Sequence, residues 1–276
     1  MSDDRVLPHQ ERIEEPTFRR AVYLIDSGDA AGLSRLLEEH PNLIHQRVTF
    51  DGGGYFATPS LIEFVAENPV RHGSLPNNIV GITAILLRAE PERDAVNSAL
   101  GLVASGRVAR ECGVQLPLLK LLCEHGADPG TALEAAALHG EFAAIRALIA
   151  LGGIQTLSIF AALGDTEGLR TQFPFADTHE RQMALALAAQ FGHAEVVKAL
   201  LDTGVAPNYW GPGHAHSTPL HQAALGGHLV AIELLVAHGA DAGVRDRIWN
   251  GTPADWAHHA GHREVESYLR SLHISG

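Results

Sequence analysis

"STPLHQAALGGHLVAIELLVAHGAD", residues 217–241, reads as two short helices, each apolar on one face, with a turn between them. A pair that small cannot bury its own core, so it must pack on something else. Two neighbouring stretches supply the partner. "MALALAAQFGHAEVVKALLDTGVAPN" (183–208) and "TPADWAHHAGHREVESYLRSL" (252–272) align with it when Gly192-His193, Gly227-His228 and Gly261-His262 are placed in register. Their spacings of 35 and 34 residues are the period of a helical repeat in which each copy covers the open face of the next.

The residues at the fixed positions have mechanical reasons. Pro219 fits the first turn of a helix, where its missing N–H would have no partner anyway, and Thr218 before it can cap the free donors. Leu220 with Ala223-Ala224 makes a narrow inner helix that neighbours can approach closely. Gly227 supplies the permissive backbone that ends it, as Gly239 does for the second helix. On Thr218-Pro219-Leu220-His221, Ala223-Ala224, Gly227-His228, Leu234-Leu235 and Gly239-Ala240-Asp241, the segment resembles an ankyrin repeat over its whole length. The copy at 252 keeps Thr252-Pro253-Ala254-Asp255 and Gly261-His262. The copy at 183 keeps Leu185, Ala188-Ala189 and Gly192-His193 but lacks Thr-Pro. The resemblance implies that His221 hydrogen-bonds between repeats and that finger loops and inner helices line a concave groove.

Weaker copies lie upstream. Thr131-Ala132-Leu133 with Ala136-Ala137, Gly140 and Ala147-Leu148 is one, and Leu157 with Ala161, Gly164-Asp165 and Leu169 is another. Their glycines at 140, 164 and 192 are only 24 and 28 residues apart, too close for projecting fingers. Residues 98–105 with 116–130, 58–70 with 77–90, and 18–41 complete the series. The expected fold is an all-α ankyrin-repeat solenoid of about eight helix pairs, with long insertions in the N-terminal third. The expected organisation is a flexible arm (1–16), divergent repeats with inserted loops (17–130), and repeats continuous with them (131–276), in one elongated domain.

Composition narrows the function. A net charge of −12 over 276 residues disfavours nucleic acid, whose binding depends on concentrated Lys and Arg. No apolar run approaches the ~18 residues of a membrane helix, and "MSDDRVLPHQERIEEP" lacks the order of a signal peptide. The expectation is a cytoplasmic protein with no membrane partner, and with Cys112 and Cys123 as reduced packing residues.

Candidate site residues fall in two regions. Tyr209, Trp210, Trp249 and Trp256, which include all three tryptophans, fall on the fingers and inner helices of the last repeats, where the pattern asks for no large side chain. Aromatic residues in a partly desolvated centre are typical interface anchors. Gln222, His259, Gln190 and Phe191 are expected on the same inner, solvent-facing surface. In the N-terminal third, the insertions 42–60 and 67–78 are candidate functional loops, the first carrying Phe50, Tyr55 and Phe56.

Seventeen histidines invite a metal or acid–base reading, yet six occupy fixed repeat positions. His214 and His216 could form half a metal site, with Asp246 or His259 as a third ligand. The set is incomplete, and no metal or cofactor is assigned. No Gly-x-Ser-x-Gly, His-Glu-x-x-His, Cys-x-x-Cys or Gly-x-Gly-x-x-Gly occurs, so no catalytic residue is assigned either. The reading is a scaffold binding another protein in the groove and on the fingers. The alternative is a small-molecule-binding protein or enzyme with a pocket lined by Tyr55, Phe56, Glu63, His214 and His216.

Overall fold

The computed structural model describes residues 9–51, 54–211 and 215–272. Regular structure among them is helical, apart from one isolated antiparallel bridge between Arg47 and Ser60. The chain divides into two compact units, Met1–Ile154 and Gln155–Gly276. None of the described helices is long and apolar enough to cross a membrane.

In the first unit, α1 (Pro16–Ser27) and α2 (Ala30–Glu39) form the first pair. The second joins a 3-10 helix (Leu61–Ala66) to α3 (Ile79–Arg88). The third joins α4 (Arg93–Ala104), through the short α5 (Arg107–Glu111), to α6 (Gln115–Glu124). The fourth is α7 (Gly130–Leu138) with α8 (Phe142–Ala150). In the second unit the pairs are α9 (Leu157–Leu163) with α10 (Thr166–Gln172), α11 (Thr178–Gln190) with α12 (Ala194–Asp202), α13 (Pro219–Gly226) with α14 (Leu229–Ala237), and α15 (Pro253–Ala260) with α16 (Arg263–Leu272). These are the eight pairs that the repeats imply. The first helix of the second pair is shorter than expected, because Glu67 adopts a left-handed φ of 51° and stops it after six residues.

The second unit's core follows from its small inner residues. Ala184, Leu185, Ala188 and Ala189 of α11, Ala223 and Ala224 of α13, and Ala257 of α15 are buried, and the outer helices fill the remaining space with Val197, Leu200, Ile232, Leu235 and Leu269. Burial assigns the inward position of α14 to Leu235, while Leu234 is half-buried at the edge of the same core. Cys112 is exposed rather than packed, and burial pushes the Cys123 thiol up to about 11.

Two sets of polar contacts fix the spacing. The imidazoles of His193, His228 and His262 each bond through Nε2, at 3.0 Å, to a carbonyl of the preceding inner helix, on Ala162, Gln190 and Leu225. Gly192 shows why the pattern requires glycine: φ is +70° and an added Cβ would lie 2.4 Å from the His228 ring. The second set is the capping boxes at Ser60/Glu63, Thr218/His221 and Thr252/Asp255. His221 accepts from Thr218 at Nδ1, which leaves Nε2–H to donate to the Gly251 carbonyl of the next finger at 3.2 Å.

His221 needs a neutral ring, because a protonated Nδ1 could not accept from the Thr218 N–H. Burial lowers the pKa of both His221 and His228 from the ordinary value of 6.5. A depressed histidine pKa means that the unfolded chain binds protons the native one refuses. The stabilisation is therefore complete above about pH 6.5 and declines as pH falls below it. Denaturant melts between pH 7.5 and 5.5 should show acid destabilisation that is smaller in His228→Gln than in the wild type. Equal pH dependence in the two would show that His228 does not titrate this way.

Candidate functional site at the C-terminal fingers

In the second unit two loops between outer and inner helices are long: 203–218, before α13, and 238–252, before α15. The first docks on the second through Asn208, which donates to Gly239 O and accepts from Asp241 N–H, both at 2.8 Å. The chain reverses in the second finger around Asp246. Its Oδ1 accepts the N–H groups of Ile248 (2.8 Å) and Trp249 (2.6 Å), and its Oδ2 accepts those of Gly251 (2.7 Å) and the Trp256 indole (3.0 Å). Burial opposes ionisation, but these four donors outweigh it and hold the carboxyl well below the usual carboxylate range.

The result is a rigid tip with apolar side chains facing outward. Ile248 and Trp249 are 60% and 68% exposed. Beneath them the rings pack edge to face: Trp249 against Trp256 (5.6 Å between centroids), His216 against Trp249 (5.9 Å), and His221 against Trp256 (5.1 Å), while His216 stacks on Trp256 (5.9 Å). Arg247 lies over the Trp210 ring at 4.3 Å, and its backbone N–H bonds His216 O at 2.9 Å.

The tryptophans of the fingers are thus brought together, but only part of the expected surface faces solvent. Tyr209, Trp249 and His259 are exposed and Trp210 is half-buried. Trp256 and Gln222 are buried, contrary to the expectation of solvent-facing inner positions. The finger folds down over Trp256, and Gln222 turns inward to donate to Ser217 Oγ at 2.7 Å. Gln190 and Phe191 are half-buried. His214 lies outside the described residues. His216 is sandwiched by aromatic rings, and both oxygens of Asp246 are taken by N–H donors, so the chemistry of these two is packing and turn-making.

The N-terminal candidates belong to a different feature. Residues 46–51 and 54–60 pair through Val48 N–H to Pro59 O (3.1 Å) and Phe50 N–H to Ala57 O (2.8 Å). Phe50 and Phe56 were expected on the surface. Both are buried, stacked on each other at 6.1 Å, with Phe56 edge-on to Phe64 at 5.3 Å, because these two segments fold back onto the first unit's core. Tyr55 alone of the three is exposed, its hydroxyl donating to Asn68 Oδ1 at 3.0 Å. Glu63 stands where His221 and Asp255 stand in their capping boxes. It accepts from Ser60 and Ser98 and lies 3.6 Å from Arg47, so its carboxylate is a helix-start device rather than a pocket wall.

A buried ionic cluster in the first unit has no counterpart among the sequence motifs. The Arg71 side chain is fully buried; its Nη2 lies 2.5 Å from Asp26 and 3.1 Å from Glu67, and it also donates to Phe64 O at 3.1 Å. Glu67 Oε1 accepts the backbone N–H groups of Arg71, His72 and Gly73. Ligand atoms of Asp26, Glu67 and His72 lie within 4.8 Å of one another, a separation that a divalent cation can bridge. The Arg71 guanidinium already supplies the positive charge there. The cluster anchors the loop 67–78 to α1.

Comparison with known proteins agrees with the geometry of the second unit. Residues 157–246 and 185–274 match ankyrin repeats in three copies. The human ARF GTPase-activating protein GIT1 is 41% identical over 78 residues, covering 28% of this chain and 10% of that protein. The human cyclin-dependent kinase 4 inhibitor B is 40% identical over 80 residues, covering 29% of this chain and 56% of the inhibitor. Human espin-like protein is 38% identical over 74 residues, covering 26% of this chain and 7% of that protein. The chain thus spans between 7% and 56% of these relatives' lengths. It carries ankyrin repeats from residue 157 to residue 274.

Proposed function

We propose that the chain is a protein-interaction scaffold whose docking surface is centred on the C-terminal finger tips. Ankyrin repeats generally mediate protein–protein interaction. The observation that carries the reading is the pair Ile248 and Trp249, exposed on a turn fixed by four hydrogen bonds to one carboxylate. An apolar pair held in one conformation loses little entropy on binding, and Trp is among the commonest hot-spot residues. Trp210, pinned beneath Arg247, is a supporting wall of the same surface.

The test is capture from the native host lysate with the wild-type chain and with Trp249→Ala. Because Trp249 is largely exposed, the variant should keep its helical signal and melting temperature. It should release the captured partner with an affinity loss of about 2 kcal/mol or more. An identical set of retained proteins at equal yield would overturn the assignment.

A further inference from the structure

We propose that this finger surface takes an acidic peptide segment, with Arg247 binding a carboxylate and the Ile248–Trp249 tip holding an apolar side chain beside it. The proposal rests on the reading of the fingers as a docking surface and adds the chemistry of what docks there.

The first argument is charge. The chain has 32 acidic and 20 basic residues, yet Thr203–Ser217 contains no Asp or Glu, and in Ala242–Gly251 the one acid is Asp246. Asp246 is 3% exposed and its oxygens are taken. At the finger's base, exposed Asp241 turns Oδ1 to Gly243 N–H at 2.8 Å. The exposed charges of the tip are therefore Arg245 and Arg247, a local cationic patch on an anionic protein. Such a patch attracts acidic segments and repels basic ones.

The second argument is the state of Arg247. Stacking on Trp210 at 4.3 Å and donation from Nη1 to Ala215 O at 3.1 Å hold the guanidinium in one plane. Among the described residues no carboxylate lies within ion-pairing distance of it, and its Nε and Nη2 donate no hydrogen bond. Arg47, Arg71, Arg110 and Arg270, by contrast, each face a carboxylate of this chain. A planar guanidinium held on an aromatic face with an open edge matches the two oxygens of a carboxylate, and little rotamer freedom remains to be lost when they meet. Arg245 is held similarly, by Nη1 on Asn250 O at 2.7 Å. The neighbouring Ile248 and Trp249 add the apolar contact.

The experiment selects random short peptides displayed on phage against the immobilised full chain and then measures synthetic copies of the enriched sequences by fluorescence anisotropy. The expected peptides pair Asp or Glu with a large apolar residue. Their binding should weaken with added salt, fall about tenfold or more in Arg247→Gln and Trp249→Ala, and recover only in part in Arg247→Lys, which keeps the charge but loses the fork. Melting curves check that each variant is folded. Neutral apolar peptides that depend on Trp249 and ignore Arg247 would overturn the acidic partner and leave the docking surface standing. Basic peptides, peptides indifferent to both residues, or no enrichment would overturn both. Self-association in sedimentation runs, abolished by Arg247→Gln, would replace the peptide with a second copy of this chain.

Discussion

Arg71→Met is expected to weaken the first unit by about 3–5 kcal/mol, the cost of leaving buried carboxylates without their cation. The Glu67 and Asp26 side chains are 1% and 12% exposed, and both face the same Nη2 of a fully buried guanidinium. Methionine fills similar volume, so the change removes the charge without opening a large void. The chain has two compact units, so one global unfolding free energy is not the right readout. Hydrogen exchange at α1, α3 and the 3-10 helix between them reports the loss locally. Adding Glu67→Gln and Asp26→Asn to the variant should restore much of the protection, because the stranded charges are then gone. Protection that falls by less than about 1 kcal/mol in the single variant would mean that water already solvates the carboxylates.

The contrast between that cluster and the repeats explains what a sequence can disclose. Repeat positions are legible because the same constraint recurs: a glycine under the next histidine ring, alanines where inner helices touch, a threonine before proline. Each copy is weak evidence alone, but the spacings of 35 and 34 residues make them reinforce one another. The Asp26–Arg71 pair leaves no such trace, since its members are 45 residues apart and occur once. Burial is hard to read from sequence wherever a loop folds back onto the core. An aromatic residue in a long insertion reads as exposed, yet Phe56 covers Phe64 and Phe50 stacks on Phe56. Trp256 and Gln222 sit on the inner face of the repeat, and their exposure depends on fingers whose path is not periodic. Asp246 does carry a legible signal: a short acid placed before Asn250-Gly251 belongs to a tight turn, and Asn250 is in the left-handed region with φ 56°.

Asp246→Ala is the second large effect expected, about 3 kcal/mol, and it joins folding to recognition in one residue. The substitution leaves the N–H groups of Ile248, Trp249, Gly251 and the Trp256 indole without their acceptor, at about 1–3 kcal/mol for each donor that water cannot reach. Asp246→Asn should not rescue it. An amide oxygen can keep Ile248 and Trp249, but its NH2 then confronts Gly251 N–H and the indole N–H, donor against donor. Because the carboxyl is held well below its usual range, its contribution is complete above the ordinary aspartate value of 3.8 and declines only as pH falls below it. Its loss therefore begins below the pH range in which His221 and His228 lose theirs, and melts near neutral pH read it at full strength. All three tryptophans lie in this cluster, so intrinsic fluorescence follows the finger directly. The expected record in Asp246→Ala is a red-shifted emission at temperatures where circular dichroism still reports intact helices, with peptide or partner capture lost over the same range. Unchanged emission with binding lost would separate the two roles, placing Asp246 in the contact itself. Unchanged emission with binding retained would mean that the tip owes its conformation to Arg245, Arg247 and the ring stack instead.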